Sequence, residues 1–545
     1  MTRHALMMTT DSPSADPTGM VPAPHQRWGP SLPAWISIGF FFCFAAAVLI
    51  PGTSLLEPDD YAYRAAIRAL SQGHLWLTNA QYHSMLHHFA VLDGGHSQGI
   101  SQWVHRSNGT WISEKNPGYP FFAVVFQWLN LTRLIPVFYG ALGSAALYLG
   151  ARRWLGRWGG TMAVGLFLSS GAALVFGWRW AMPTFTDASL IAVGLGLLLW
   201  SCLADDATRA RRGLVGIGGL LALDGAVFCR YTDAVILLVA IVGVVLVSLL
   251  AKHVIPRRQL AWWLAIQVLV GAGMLAMNET LYGSATSTGY SSGEITFSFH
   301  AISGNLSVMP GALVRAMPML VLAVIAIVVA PVVVVVRRRQ PERRGLAMRD
   351  LLIVAALGVM FLGVFGLYFC YEWTAQMGSH GTMHFGPKGH GGPGGIDSYV
   401  HVIRFYVPAL APMSLLGAWL LTRFPTWVGI VALAVLVTMG AASFHTMSRS
   451  GLGVGGFPGG GPGVITGLGA GGHGTTKAGC PSFPGGSGGP PSGFALPPGG
   501  TGSMRPPAMS GGFPRPPSGA GGKPGSWPAI PRRCLPAGLR QPAGR

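Results

Sequence analysis

Charge is what this chain of 545 residues has least of. Asp, Glu, Lys and Arg together make up 10% of it, and only 18 residues are acidic. Soluble domains carry about 25% charged residues. With so little charge, 50% hydrophobic residues and a mean hydropathy of +0.46, a string of soluble domains is excluded and a polytopic membrane protein is implied. Cysteine is scarce too. The six present (Cys43, Cys202, Cys229, Cys370, Cys480, Cys534) show no CxxC or His-paired spacing. That excludes a disulfide scaffold and a cysteine-based zinc site. Four of them lie in or beside apolar segments, as small buried thiols do.

Basic residues are in excess, 37 against 18, for a net charge of +19. Glycine (79) and proline (40) are also more frequent than ordinary helices tolerate. Much of both excesses sits in one place. Residues 451–545 hold 30 Gly and 18 Pro, no acid follows Asp397, and the basic residues from Arg449 onward contribute +9. Such a segment cannot bury enough apolar surface to offset its chain entropy, so 444–545 is expected to be a disordered extracytoplasmic tail. The remaining +10 belongs to a body whose arginines report topology, and no nucleic-acid partner is implied.

Apolar stretches of spanning length fall near 33–51, 133–151, 159–177, 184–203, 213–229, 233–251, 260–278, 313–336, 350–371, 403–422 and 425–443. The predicted fold is therefore an all-α polytopic membrane protein with about eleven transmembrane helices over 33–443. A further short re-entrant piece is expected at 119–131. Basic loops at Arg152–Arg157, Arg209–Arg212, Lys252–Arg258 and Arg337–Arg349 alternate with less basic ones, which makes them cytoplasmic. The N-terminal segment 1–32 is then cytoplasmic too. Three long segments, 52–118, 279–312 and 372–402, face outward in what is expected to be the plasma membrane.

The first of these outer segments carries the chemistry-bearing residues. It opens Glu57-Pro58-Asp59-Asp60-Tyr61-Ala62-Tyr63-Arg64. Pro58 ends an extended helix and Asp59 or Asp60 caps a new one. Tyr63, Ala66, Ile67 and Leu70 then recur at helical spacing, which predicts an amphipathic helix along the membrane surface. The two carboxylates could serve as a general base or metal ligands. They could equally be a helix cap and an Asp60–Arg64 pair one turn apart. The segment closes with Glu114-Lys115-Asn116-Pro117-Gly118-Tyr119-Pro120.

In this order and spacing the two motifs resemble the GT-C type glycosyltransferases, the lipid-phosphosugar-dependent class that includes protein O-mannosyltransferases and the lipid A aminoarabinose transferase. Asp59 and Asp60 fall on that class's acidic pair, Gly73 on its glycine, and Lys115 and Pro117 on its second segment. Asn116 stands where a proline is commoner. Met182 to Asp187, Arg230 to Asp233, Asn278 to Ser284 with Gly289-Tyr290, and His401 to Pro408 extend the resemblance over 33–423.

The resemblance implies transfer of a sugar, with inversion, from a polyprenyl-phosphate donor to an acceptor hydroxyl on a lipid, glycan or protein. Asp59 would be the base and Asp60 would position it or bind a metal. Lys115 and Arg404 would bind the donor phosphate, and Asp187, Tyr290 and Tyr406 would bind substrate. No cofactor is assigned, and a divalent metal is left open. His83 and His87, one helical turn apart with His88, Asp93 and His96 behind them, are the weak metal candidates. The alternative is a transporter or lipid flippase without catalytic chemistry. Asp224, a carboxylate inside a span that needs a partner, is the feature in its favour.

Overall fold

In a computed structural model, the residues described are 31–50, 58–92, 102–203, 207–250, 255–290, 295–338, 344–372, 374–375 and 400–450. The N-terminal segment to residue 30 and the Gly/Pro-rich tail from 451 lie outside them, as do Asp93, His96 and most of 372–402.

Among the described residues, eight helices are long and apolar enough to cross a membrane, or nine if one bent pair counts as a single span. The expected number of about eleven is not confirmed by length and apolarity alone, and three segments explain the difference. The span expected at 313–336 is the bent pair, α11 (Ala301–Ala316) and α12 (Met319–Arg338), broken by 104°. The one expected at 403–422 is interrupted: its apolar part, Val407–Leu421, is shorter than a bilayer needs.

Those at 133–151 and 159–177 are joined without a loop in α5 (Ile135–Leu168), two helical stretches that meet at a kink at Gly156, and α6 (Gly171–Trp178) follows the second. At that kink α5 folds back on itself. Gly156 has φ +82°, and a side chain at Gly160 would strike the Tyr148 carbonyl at 2.9 Å. Twelve residues along a straight helix would separate those positions by about 18 Å. A glycine is what lets the chain reverse there.

The most buried span is α7 (Thr184–Leu203), which lies between α5 and α8 (Arg209–Cys229). Small residues permit this closeness: a Cβ on Gly196 would lie 2.3 Å from the Ala146 carbonyl of α5. The wall of the bundle continues through α9 (Ala234–Leu250), α10 (Arg257–Tyr282) and α13 (Arg344–Phe369), with the Leu410–Leu421 helix buried inside. α10 is the most peripheral, and its exposed Trp262, Val268 and Leu269 suit a face turned to lipid.

The first outer segment is not a plain loop. It contains α2 (Pro58–Ser71), α3 (Asn79–Leu92), α4 (Gly118–Trp128) and a three-stranded antiparallel sheet in the order β1 (Leu77–Thr78), β3 (Thr110–Ser113), β2 (Trp103–His105). The re-entrant piece expected at 119–131 corresponds to α4, which is 11 residues long. α2 differs from the expected surface helix. Tyr63 and Ile67 join the core of the bundle, whereas Tyr61, Ala65 and Ala69 join a second cluster with Tyr82, Phe89 and Trp103. It is clamped between two apolar layers because α3 and the sheet fold back over its outer side. That clamp fixes the first turn of α2, where the acidic pair lies.

Candidate functional site

The two aspartates of that turn have different fates. Successive helical residues point about 100° apart, so Asp59 and Asp60 face different surroundings. Asp60 is fully buried and paired with Arg179, which follows α6. This is a structural clasp between α2 and the bundle. Arg64, the partner expected for Asp60, lies over the Trp180 ring at 5.3 Å.

Asp59 instead meets two cations. Its Oδ1 lies 3.2 Å from Lys115 Nζ and accepts a 2.6 Å hydrogen bond from Gln102 Nε2. Its Oδ2 accepts from the Arg404 guanidinium, 345 residues away in sequence. Lys115 also lies 3.3 Å from Glu114 and donates to the Tyr290 hydroxyl at 3.1 Å. These groups are largely withdrawn from solvent: Lys115 is 6% exposed, Asp59 and Arg404 14%. Lys115 is set in place by β3 before it and α4 after it. Tyr290 comes from the chain beyond α10, where Gly289 packs directly on the Glu114 backbone.

Electrostatics follow from this geometry. Burial alone would push the Asp59 carboxyl up, but the Arg404 and Lys115 charges outweigh it and hold it well below the usual carboxylate range. Burial alone would lower Lys115, yet Asp59, with Tyr290 and Glu114 behind it, drives it well above the ordinary lysine value. Asp59 and Lys115 are therefore ionised across the physiological range. An aspartate so firmly ionised is a weak proton acceptor in this arrangement.

The triad borders a cavity of about 280 Å³. Asp59, Lys115, Arg404 and Tyr290 share its polar side with Arg230; Phe297, Tyr368, Tyr371 and Phe405 form an aromatic side. Its position is set by helix ends. Asp187 begins α7, Arg230 follows α8, Tyr371 follows α13, and Arg404 and Phe405 precede the Leu410–Leu421 helix. The arginines that start α8 and α10 stand at the opposite ends of those helices.

Sequence placed Arg230 only within the Arg230 to Asp233 segment and gave it no role in the site. Its Nε lies 3.3 Å from Asp187, its Nη2 donates to Thr184 Oγ1 at 3.2 Å, and its Nη1 donates to the Arg404 carbonyl at 2.9 Å. Asp187 is thus buried beneath the cavity and acts on Arg404 through Arg230. The readable signal was a lone arginine at the mouth of two apolar spans, where burying a cation is costly without a purpose. Gln102 carried no such signal.

The structure brings Asp59, Lys115, Arg404 and Tyr290 together and leaves other candidates apart. Tyr406 is fully buried against Phe365 at 4.9 Å between ring centroids, and its neighbour Phe405 lines the cavity in its place. His83 and His87 are exposed on α3, whereas His88 turns inward to contact Arg68 at 2.9 Å. Among the described residues no three His, Cys, Asp or Glu side chains gather as metal ligands. Asp224 receives the partner its position demanded, a 2.8 Å hydrogen bond from Gln267 of α10. The feature that favoured a transporter thus has a structural explanation.

Fold and site together define a polytopic α-helical membrane protein with a cation-flanked carboxylate in a cavity at one end of its bundle. No protein-family model and no curated protein matches the sequence. Three solved structures overlap it in part. ArnT from Cupriavidus metallidurans bound to undecaprenyl phosphate aligns at 13% identity and TM-score 0.44, over 74% of this chain and 62% of that one. Its apo state aligns at 14% identity and TM-score 0.42 over the same shares. The apo Archaeoglobus fulgidus oligosaccharyltransferase aligns at 10% identity and TM-score 0.41, over 77% of this chain and 56% of that one. The chain spans about three fifths of the length of these proteins.

Proposed function

We propose that the chain is a membrane glycosyltransferase that moves a sugar from a polyprenyl-phosphate donor to an acceptor hydroxyl, with inversion at the anomeric carbon. The observation that carries this reading is the convergence of Lys115 and Arg404 on Asp59 at the edge of the cavity. Two buried cations suit a phosphate, and Arg404 offers it a planar fork of donors. A carboxylate beside them suits the proton that an attacking hydroxyl must lose.

In the reaction, the acceptor oxygen forms a bond to the anomeric carbon as its proton passes to Asp59. The bond from that carbon to the phosphate oxygen breaks, and its electron pair leaves with polyprenyl phosphate. The second negative charge that develops there is met by Lys115 and Arg404. Aromatic side chains in the lining of the cavity, among them Phe297, Tyr368, Tyr371 and Phe405, suit the apolar faces of a sugar ring. The lipid chain stays in the bilayer and the acceptor arrives from the extracytoplasmic side. That orientation is supported by the exposed arginines at the opposite end of the bundle. Asp60, bound to Arg179, holds the first turn of α2 so that Asp59 faces the cavity.

The test is transfer by the purified full chain in proteoliposomes, supplied with a panel of labelled polyprenyl-phosphate sugars. With lipid, glycan and protein acceptors supplied alongside, sugar should pass from at least one donor to an acceptor hydroxyl, with polyprenyl phosphate as the second product. Asp59→Asn should slow the reaction by about 10²–10⁴-fold, the usual contribution of a positioned base. Full activity in a normally inserted Asp59→Asn protein would remove the assignment.

A further inference from the structure

Resting on the transferase reading, we propose that Asp59 and the donor phosphate compete for the same two cations, so that arrival of the donor is the event that frees Asp59 to accept a proton. In the structure both carboxylate oxygens are committed: Oδ1 to Lys115 and Gln102, Oδ2 to Arg404. Lys115 and Arg404 are also the cations through which a phosphate at this wall would bind. A phosphate entering beside them takes N–H donors that Asp59 now holds. In so enclosed a place, one carboxylate and one phosphate cannot both be fully paired by these two groups.

Gln102 gives the exchange its direction. Its amide is neutral and stays on Oδ1 when the cations turn away. Asp59 then keeps its aim while losing the positive charge that suppresses its basicity. The remaining neighbours of the two cations fit such a movement. Lys115 retains Tyr290 and Glu114, and Arg404 stays anchored by its own backbone carbonyl to Arg230.

An order of binding follows. Without donor, an acceptor hydroxyl meets a carboxylate already occupied. With donor, it meets a base. After transfer the acceptor's proton sits on Asp59, which therefore cannot compete for the cations. When that proton passes to water, the carboxylate re-forms and helps displace the product phosphate.

The competition is tested by binding, separately from turnover, with polyprenyl phosphate as the probe and polyprenol, which lacks the phosphate, as its control. The full chain in nanodiscs should bind polyprenyl phosphate more tightly than polyprenol. Asp59→Asn should strengthen phosphate binding by about tenfold, because removing the competitor raises the fraction of the site that is ready to bind. Asp59→Ala should move the same way, so the result does not hang on one variant folding. Lys115→Met and Arg404→Gln should weaken it, and polyprenol should bind all forms alike.

Weakening by Lys115→Met and Arg404→Gln with unchanged or poorer binding by both Asp59 variants would overturn the competition and leave the transferase reading intact. Equal binding of polyprenyl phosphate and polyprenol by the natural chain, unaffected by either cation variant, would overturn both.

Discussion

Two aspartates at opposite ends of the bundle are held in similar ways. Asp59 is gripped at both oxygens by Lys115, Gln102 and Arg404. Asp350, at the start of the described apolar part of α13, takes a 2.8 Å ion pair from Arg423 and a 3.0 Å hydrogen bond from the Trp154 indole. Their exposures, 14% and 13%, do not separate them. The surroundings do. Arg423 lies over the Trp419 ring, 4.7 Å from its centroid, and the Trp154 indole donates to Asp350, so the second pair is packed on two indoles. The first borders a cavity of about 280 Å³, with Asp59 and both of its cations on the lining. A buried ion pair is thus poor evidence of function by itself. Room beside it, and cations that face that room, make the difference.

The comparison can be broken most forcefully at Asp59. Asp59→Asn should slow transfer by about 10²–10⁴-fold with insertion intact, and it should also lower stability, because Lys115 and Arg404 lose their shared carboxylate. Asp350→Asn should leave transfer within about twofold and lower stability by about 1 kcal/mol, the usual worth of a partly exposed pair. Parallel turnover and thermal-unfolding measurements on the two variants would show it. Equal losses of turnover would erase the distinction.

Next in size is the adjacent clasp. Removing one partner of a fully buried pair leaves an uncompensated charge, so Arg179→Met should cost about 3–5 kcal/mol of stability. Poor yield of folded protein, read by size-exclusion profile and melting temperature, is the expected sign. Combining it with Asp60→Asn should recover part of the loss. A stable, inactive Arg179→Met protein would instead place Asp60 in the chemistry.

At the cations, Arg404→Gln and Lys115→Met should each weaken donor binding by about 10–100-fold, as loss of a charge-assisted contact to phosphate does. Arg404→Lys should restore part of it, keeping the charge without the fork. An unchanged apparent donor affinity in steady-state kinetics would remove Arg404 from the phosphate site. The smallest effect expected is from the exposed histidines: His83→Ala with His87→Ala should leave transfer within about twofold.

The pH response is also fixed by the site. Asp59 is held below its unfolded value of about 3.9, so its stabilising contribution is present above that pH and lost as pH falls through the lower folded value. Lys115 is held above its unfolded value of about 10.4, so its contribution is complete below that pH and lost as pH rises through the higher folded value. Melting temperature should therefore show no step from this pair between about pH 5 and 9. A step near pH 6 that disappears in Asp59→Asn would contradict the ion-pair description.

Much of the fold was legible because apolar length and basic loops are direct consequences of a bilayer. What escaped was set by single local events: a reversal at Gly156, a 104° break after Ala316, and an interruption in the segment expected at 403–422. The site was legible in residue type and illegible in direction. Asp59 and Asp60 are interchangeable in sequence, yet one faces the cavity and the other Arg179. Phe405 and Tyr406 present the same ambiguity, and there the tyrosine is the one buried in the core. A shift of one residue turns a helical side chain by about 100°, and only the packing of both layers on α2 decides which way each points. Gln102 belongs to the site through a partner distant in sequence, which no local pattern records, whereas Arg230 was readable as an arginine at the mouth of two spans but its partners were not.

The central claim is that this cavity receives a lipid phosphate between Lys115 and Arg404. A structure of the full chain determined in nanodiscs with polyprenyl phosphate tests it most directly. The expected result is a phosphate within hydrogen-bond reach of Lys115 Nζ and the Arg404 guanidinium, with Asp59 released from both and still held by Gln102. Phosphate bound elsewhere, with the Asp59–Lys115–Arg404 cluster closed as it is here, would contradict it.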